Sequence, residues 1–132
     1  MILVDSSVWI DALKGNATRE SALLLALDNA GEDVAIPVWC AQEILQGARD
    51  AKEWLTLRRF VESRNLIAPA DSQTFHVKSA RLYYDGRRRG ITIGGSIDCC
   101  IAQLALDLQA PLLHSDAGFA RIKKVRPRLI FV

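Results

Sequence analysis

Four carboxylates, Asp5, Glu43, Asp98 and Asp116, occupy comparable places in the chain, each just after an apolar strand-like run or in the first turns of the helix that follows. In an open parallel α/β sheet, residues that follow the strands collect in the crevice outside the strands' carboxyl ends. Four acids would then meet in one pocket. Like charges at such density need a positive partner, and oxygen-only clusters hold hard divalent cations such as Mg²⁺ or Mn²⁺. Metal-dependent chemistry on phosphate esters is the reaction class such a site suits.

Each acid also has a purely structural reading. Asp5 precedes Ser6-Ser7 and the run Val8-Trp9-Ile10, where it could cap a helix or make a turn. Asp116 follows Leu112-Leu113-His114-Ser115 and stands before Ala117-Gly118, another turn context. Asp98 falls in the first turn of the helix after Ser96, where the helix dipole favours negative charge. For Glu43 the apolar stripe Val38, Ala41, Leu45 and Ala48 leaves the carboxylate on the opposite side, shared with Trp39, Cys40 and Gly47. The coincidence of four is what these separate readings leave unexplained.

The elements that must position these acids follow from periodicity. Ile2-Leu3-Val4, Val34-Ala35-Ile36, Leu66-Ile67-Ala68, Leu112-Leu113 and Leu129-Ile130-Phe131-Val132 read as five buried strands separated by helix-length segments. Such β-α alternation predicts a mostly parallel sheet with helices on both faces. Ile97, Ile101, Leu104, Ala105 and Leu108 form one apolar stripe that lays the helix carrying Asp98 on that sheet. The 132 residues, 50% apolar and 24% charged, suit one domain spanning 1–132, with no internal repeat or linker. No apolar run is long enough to cross a bilayer and no secretory signal is visible. Cys40, Cys99 and Cys100, an odd number without zinc-ligand spacing, read as free thiols of a cytoplasmic protein.

The net charge of +2 permits an anionic partner, and the placement of positive charge says more than its total. Arg87-Arg88-Arg89-Gly90 lies just before the strand-like Ile91-Thr92-Ile93 and the Gly94-Gly95-Ser96 turn leading to Asp98. The three arginines could hold phosphates of an anionic partner at the rim of the pocket, or form a solvated helix end. Lys123, Lys124, Arg126 and Arg128 make a second basic stretch. His76 and His114 do not assemble a catalytic set with Ser115 and Asp116, because adjacency in sequence is not what a triad requires.

The whole chain resembles the PIN domain, and in size and layout the VapC-type ribonuclease toxins of bacterial toxin-antitoxin pairs. Leu3-Val4-Asp5-Ser6-Ser7-Val8-Trp9-Ile10 is similar to the family's strand-ending Asp with a following Ser or Thr. Glu43 matches its acidic residue in the next helix, and Ser96-Ile97-Asp98-Cys99-Cys100-Ile101-Ala102 its Asp-x-x-Ile-Ala stretch. Leu113-His114-Ser115-Asp116-Ala117-Gly118-Phe119 resembles the late strand-end Asp followed by Phe. His114 stands where many relatives have Thr, and Gly118 where they often have another acid or His, so a fifth acidic group is missing.

The resemblance implies a PIN-like α/β fold with a five-stranded, mostly parallel sheet, and a Mg²⁺- or Mn²⁺-dependent endoribonuclease arresting translation by cleaving RNA of the tRNA or rRNA class. Asp5, Asp98 and Asp116 would hold the ion, Glu43 would complete the catalytic group, and Ser6 and Ser115 would orient the carboxylates by hydrogen bonds. A cognate antitoxin and a homodimer are implied too, and Trp54, Leu55, Leu57, Phe60 and Val61 offer more apolar surface than one buried stripe needs. Two other readings compete: a catalytically silent PIN scaffold, and a receiver-type phosphoacceptor, for which Asp5-Ser6-Ser7 lacks the neighbouring acids.

Overall fold

The computed structural model describes residues 1–132. Ile2–Val4 (β1), Val34–Pro37 (β2), Leu66–Ile67 (β3) and Leu112–Leu113 (β4) form a parallel sheet in the order β3-β2-β1-β4. Register is set by Ile2 opposite Val34, Leu3 opposite Ala35, Val4 opposite Leu113 and Ile36 opposite Leu66. The strands are apolar throughout because helices cover both faces, and Leu3, Val4, Ala35, Ile36 and Leu112 are buried.

Four strands form where the sequence predicts five. The segment Leu129-Ile130-Phe131-Val132 reaches the edge of β4 but makes a single parallel bridge there, Phe131 with Leu112. Two hydrogen bonds secure it, Leu112 N–H to Ile130 O at 2.9 Å and Val132 N–H to Leu112 O at 3.1 Å. The chain enters this segment from a turn closed by Leu129 N–H on Arg126 O, and its neighbour β4 is only two residues long. There is no length over which a ladder could extend. Ile91-Thr92-Ile93 likewise pairs with no strand; it forms an irregular connection in which Ile93 is buried against Gly86.

Seven helices complete the chain: Ser6–Lys14 (α1), Arg19–Asn29 (α2), Val38–Gln46 (α3), Ala51–Glu62 (α4), Ser72–Arg88 (α5), Ser96–Leu108 (α6) and Ala117–Val125 (α7). Their starts are written in the sequence. Thr18 and Ser21 make a reciprocal capping box on α2, and Asp50 and Asp71 cap α4 and α5 through Glu53 N–H and Thr74 N–H. Helix α6 is the central one: every residue from Cys99 to Ala105 is buried, so its middle is enclosed on all sides and has no simple stripe. Ile97 and Leu108, expected on the buried stripe, lie at its exposed ends. No helix is long and apolar enough to cross a membrane.

Candidate active site

The parallel sheet brings the ends of β1, β2 and β4 to one edge, and the acids follow from there. Asp5 ends β1, and its N–H bonds to Leu113 O at 2.9 Å, which fixes the end of β1 beside the end of β4. Asp116 follows β4 after His114 and Ser115. Both acids cap helices: Asp5 accepts from Ser7 N–H at 3.3 Å and Asp116 from Gly118 N–H at 2.8 Å. Capping and site membership coexist, because each carboxylate has oxygen lone pairs left over.

Glu43 reaches the same edge from the second turn of α3. The buried face of α3 is Cys40, Ala41 and Ile44, not the stripe of Val38, Ala41, Leu45 and Ala48 that periodicity suggests. Cys40 therefore turns inward, with its Sγ 3.9 Å from Asp5 Oδ1, and Glu43, three residues on, flanks the cluster while its side chain stays open to solvent. The proximity is recorded electrostatically. The Glu43 carboxyl is pushed up by burial and by the charge of Asp5, opposed by a hydrogen bond from the Ser6 side chain.

Asp98 feels the cluster most strongly. Its carboxyl is pushed up to about 6, first by desolvation, then by the charges of Asp116, Asp5 and Glu43, with only Arg121 opposing. All four acids are thus coupled in one field. None of them is salt-bridged, although the chain forms seven ion pairs elsewhere. Two glycines keep the space around the acids open. A Cβ on Gly94 would stand 3.4 Å from Asp98 Oδ2; one on Gly118 would stand 3.2 Å from Asp116 Oδ1 and 3.6 Å from Asp98 Oδ2.

A concentration of carboxylates without a salt-bridge partner, around a cleared space, fits a hard divalent cation by its donor chemistry. In the arrangement seen, no three acids converge as a finished ligand set.

The serines divide the supporting work in a way the sequence does not separate. Ser7 Oγ donates to Asp5 Oδ2 at 2.6 Å, and Ser115 Oγ lies 3.0 Å from Ser7 Oγ. Ser115 therefore reaches Asp5 through Ser7, while buried Ser6 faces Glu43. Three contributors escape the sequence reading: Ser7, Cys40 and Arg121. Arg121 is held by its Nε donating to Thr92 O at 2.9 Å, and its signal is spacing, since it stands one helical turn beyond Ala117 at the start of α7.

Arg87, Arg88 and Arg89 are exposed around the C-terminal end of α5. Arg87 lies over the Tyr83 ring with its guanidinium 6.0 Å from the centroid, and Arg89 donates to Lys124 O at 3.4 Å. His114 packs against Phe131 and Phe119, its ring held below the ordinary histidine range first by burial, which favours the neutral imidazole. The three cysteines are buried and unpaired.

The PIN domain family matches residues 2–125, and the chain belongs to that family. Ribonuclease VapC11 of Mycobacterium tuberculosis and a VapC ribonuclease of Mycobacterium bovis are each 34% identical over 128 residues, 95% of this chain and 93% of theirs. The fold is similar to VapBC2 from Rickettsia felis, solved bound to a promoter DNA fragment (TM-score 0.75, 21% identity, covering 100% of this chain and 98% of that one). It is also similar to FitAcB from Neisseria gonorrhoeae (TM-score 0.71, 16% identity, covering 100% and 97%). Family membership sets aside the receiver-type reading.

Proposed function

We propose that this protein is a divalent-metal-dependent endoribonuclease, the toxin of a toxin-antitoxin pair. The observation that carries the reading is the cluster of four coupled carboxylates, none salt-bridged, at the edge where the strands end, in a chain whose relatives are named VapC ribonucleases. Asp5, Asp98 and Asp116 would hold Mg²⁺ or Mn²⁺, with Glu43 as a further ligand or as the group that positions water. When bound, such an ion acidifies water, orients it and neutralises charge developing on the phosphoryl oxygens.

The chain's own residues supply the rest. Ser7 and Ser115 hold Asp5 in one orientation, and Gly94 and Gly118 leave room beside Asp98 and Asp116. Arg121 offers a positive charge within reach of the cluster, suited to a substrate phosphate. Cellular RNA of the tRNA or rRNA class is the substrate we infer, in the cytoplasm, with translation arrest as the outcome. A cognate antitoxin and a second copy of the chain are the expected partners. Trp54 and Leu55 leave apolar surface exposed on α4, whereas Val61 joins the core and Leu57 and Phe60 pack partly against it.

A metal titration with purified protein and RNA tests the reading. Cleavage should appear with Mg²⁺ or Mn²⁺, vanish with chelator and fall by orders of magnitude in Asp5→Asn, which keeps the shape of the side chain and removes its charge. A wild-type rate in Asp5→Asn would sink the metal assignment. RNA binding without cleavage under every metal would favour the silent scaffold.

A further inference from the structure

Beside the acids runs a groove between α5 and α6 of about 470 Å³, walled by His76, Ala80 and Tyr83 and floored by Gly94, Gly95 and Cys99. Nothing in the cleavage chemistry uses it. We infer that this groove is a nucleobase subsite, in which Tyr83 stacks on a base of single-stranded RNA adjacent to the scissile phosphate. The inference rests on the ribonuclease reading above and adds where the strand lies.

Three features select this occupant. The first is continuity: Gly94 lines the groove and also abuts Asp98 Oδ2, so a nucleotide seated there has its phosphate beside the acid cluster. The second is shape and chemistry. The floor is built from small residues, and of the two planar side chains that line the groove His76 is engaged with Trp39 and Phe75, while the half-exposed ring of Tyr83 offers the flat apolar face that any base can stack on. The third is charge. Arg87 lies over the same Tyr83 ring, and Arg87 and Arg88 border a neighbouring hollow that shares Tyr83 and Tyr84, so cations for the backbone adjoin a platform for the base. The N-terminus of α6, where Gly95 brings no side-chain cap, lies along the same groove and adds unpaired N–H groups suited to phosphate. Stacking carries no hydrogen-bond code, so the subsite would hold the strand in register while tolerating any base there.

The test is a binding measurement with chelator present, so that RNA stays intact, using a short fluorescent single-stranded oligoribonucleotide that the wild-type protein cleaves when metal is supplied. Tyr83→Ala should weaken binding about 5- to 150-fold, the range for losing one base-aromatic stack. Tyr83→Phe should retain wild-type affinity, and the salt dependence should be unchanged in both because no charge is lost. A series of probes with one abasic position scanned along the strand should show one position next to the cleaved bond where wild type loses affinity and Tyr83→Ala loses no more. That coincidence is not produced by misfolding of the variant. Equal affinity of wild type and Tyr83→Ala, or an abasic series with no such position, overturns the subsite while leaving the nuclease reading intact. A Tyr83→Ala protein that binds RNA normally but changes mass in light scattering overturns it in favour of an interface between copies. Failure of wild type to cleave any RNA overturns both readings.

Discussion

Ser7 Oγ stands 2.6 Å from Asp5 Oδ2, shorter than any other side-chain hydrogen bond in the molecule. A carboxylate can only accept, so the single Ser7 proton goes to Asp5, and Ser115 must be the donor in its 3.0 Å contact with Ser7 Oγ. The direction of the relay is therefore fixed, from the end of β4 through α1 to the end of β1.

Ser7→Ala should cut this relay. Loss of a partner that orients a metal ligand typically costs about 10- to 100-fold in metal affinity or activity. The fold should lose only about 1 kcal/mol, the net worth of an ordinary hydrogen bond. Cleavage rates and thermal melts of Ser7→Ala measure the two effects separately. A proportional loss of both would mean that Ser7 is merely structural.

Asp98 makes a prediction about pH in the metal-free protein. Its carboxyl is raised from 3.8 to about 6 in the folded chain, first by desolvation and then by Asp116, Asp5 and Glu43. Between those values the folded state keeps a proton that the unfolded chain has released, so stability falls as pH rises through that window. Asp98→Asn carries no such penalty. In chelator the variant should melt above wild type at about pH 8, and the gap should close on acidification to about pH 4. A constant gap would show that the Asp98 carboxyl is not raised in the folded chain.

The sequence shows the acids better than it shows what they touch, for a physical reason. Asp5 and Asp116 are legible because an apolar run ending in an acid marks a strand end, and parallel topology then gathers the ends. Glu43 is legible only through the mixed company on its side of α3, since its position depends on Cys40 turning toward Asp5, a tertiary contact that periodicity does not encode. Neighbouring Ser6 and Ser7 are alike in sequence but meet different acids, a difference that residue type does not encode. The last expected strand does not form for a related reason: Leu129 to Val132 has strand composition, but a ladder needs a partner with matching length, and β4 provides two residues.

Basic residues should separate by their effect on two observables. Replacing Arg87, Arg88 and Arg89 together with Ala should reduce the magnitude of the log-affinity against log-salt slope by about 0.7 for each phosphate that is no longer neutralised. Arg121→Ala should reduce that slope as well. It should also extend the window of Asp98 protonation to higher pH, because Arg121 is the cation opposing the rise. Salt titrations of RNA binding, combined with melts across pH, check both. An unchanged slope in the triple variant would return those arginines to a solvated helix end and leave Arg121 and the stretch from Lys123 to Arg128 to bind the phosphates.

Gly118 separates stability from activity. It lies in the first turn of α7, where the helix preference for Ala over Gly, about 1 kcal/mol at most, is opposed by strain on the Asp116 cap to which Gly118 N–H donates, so Gly118→Ala should leave the melting temperature nearly unchanged. Yet its Cβ would come within 3.2 Å of Asp116 Oδ1 and 3.6 Å of Asp98 Oδ2. The Asp116 carboxylate would have to give way by a few tenths of an ångström, and the cleared space between the two acids would be partly filled by a methyl group. Cleavage should therefore fall at least about tenfold, consistent with the sensitivity of catalysis to small displacements. Raising the metal concentration should restore part of the rate, because the crowding weakens a site whose ligands all remain. Full activity in Gly118→Ala across a metal titration would show that the ion is not held between Asp98 and Asp116.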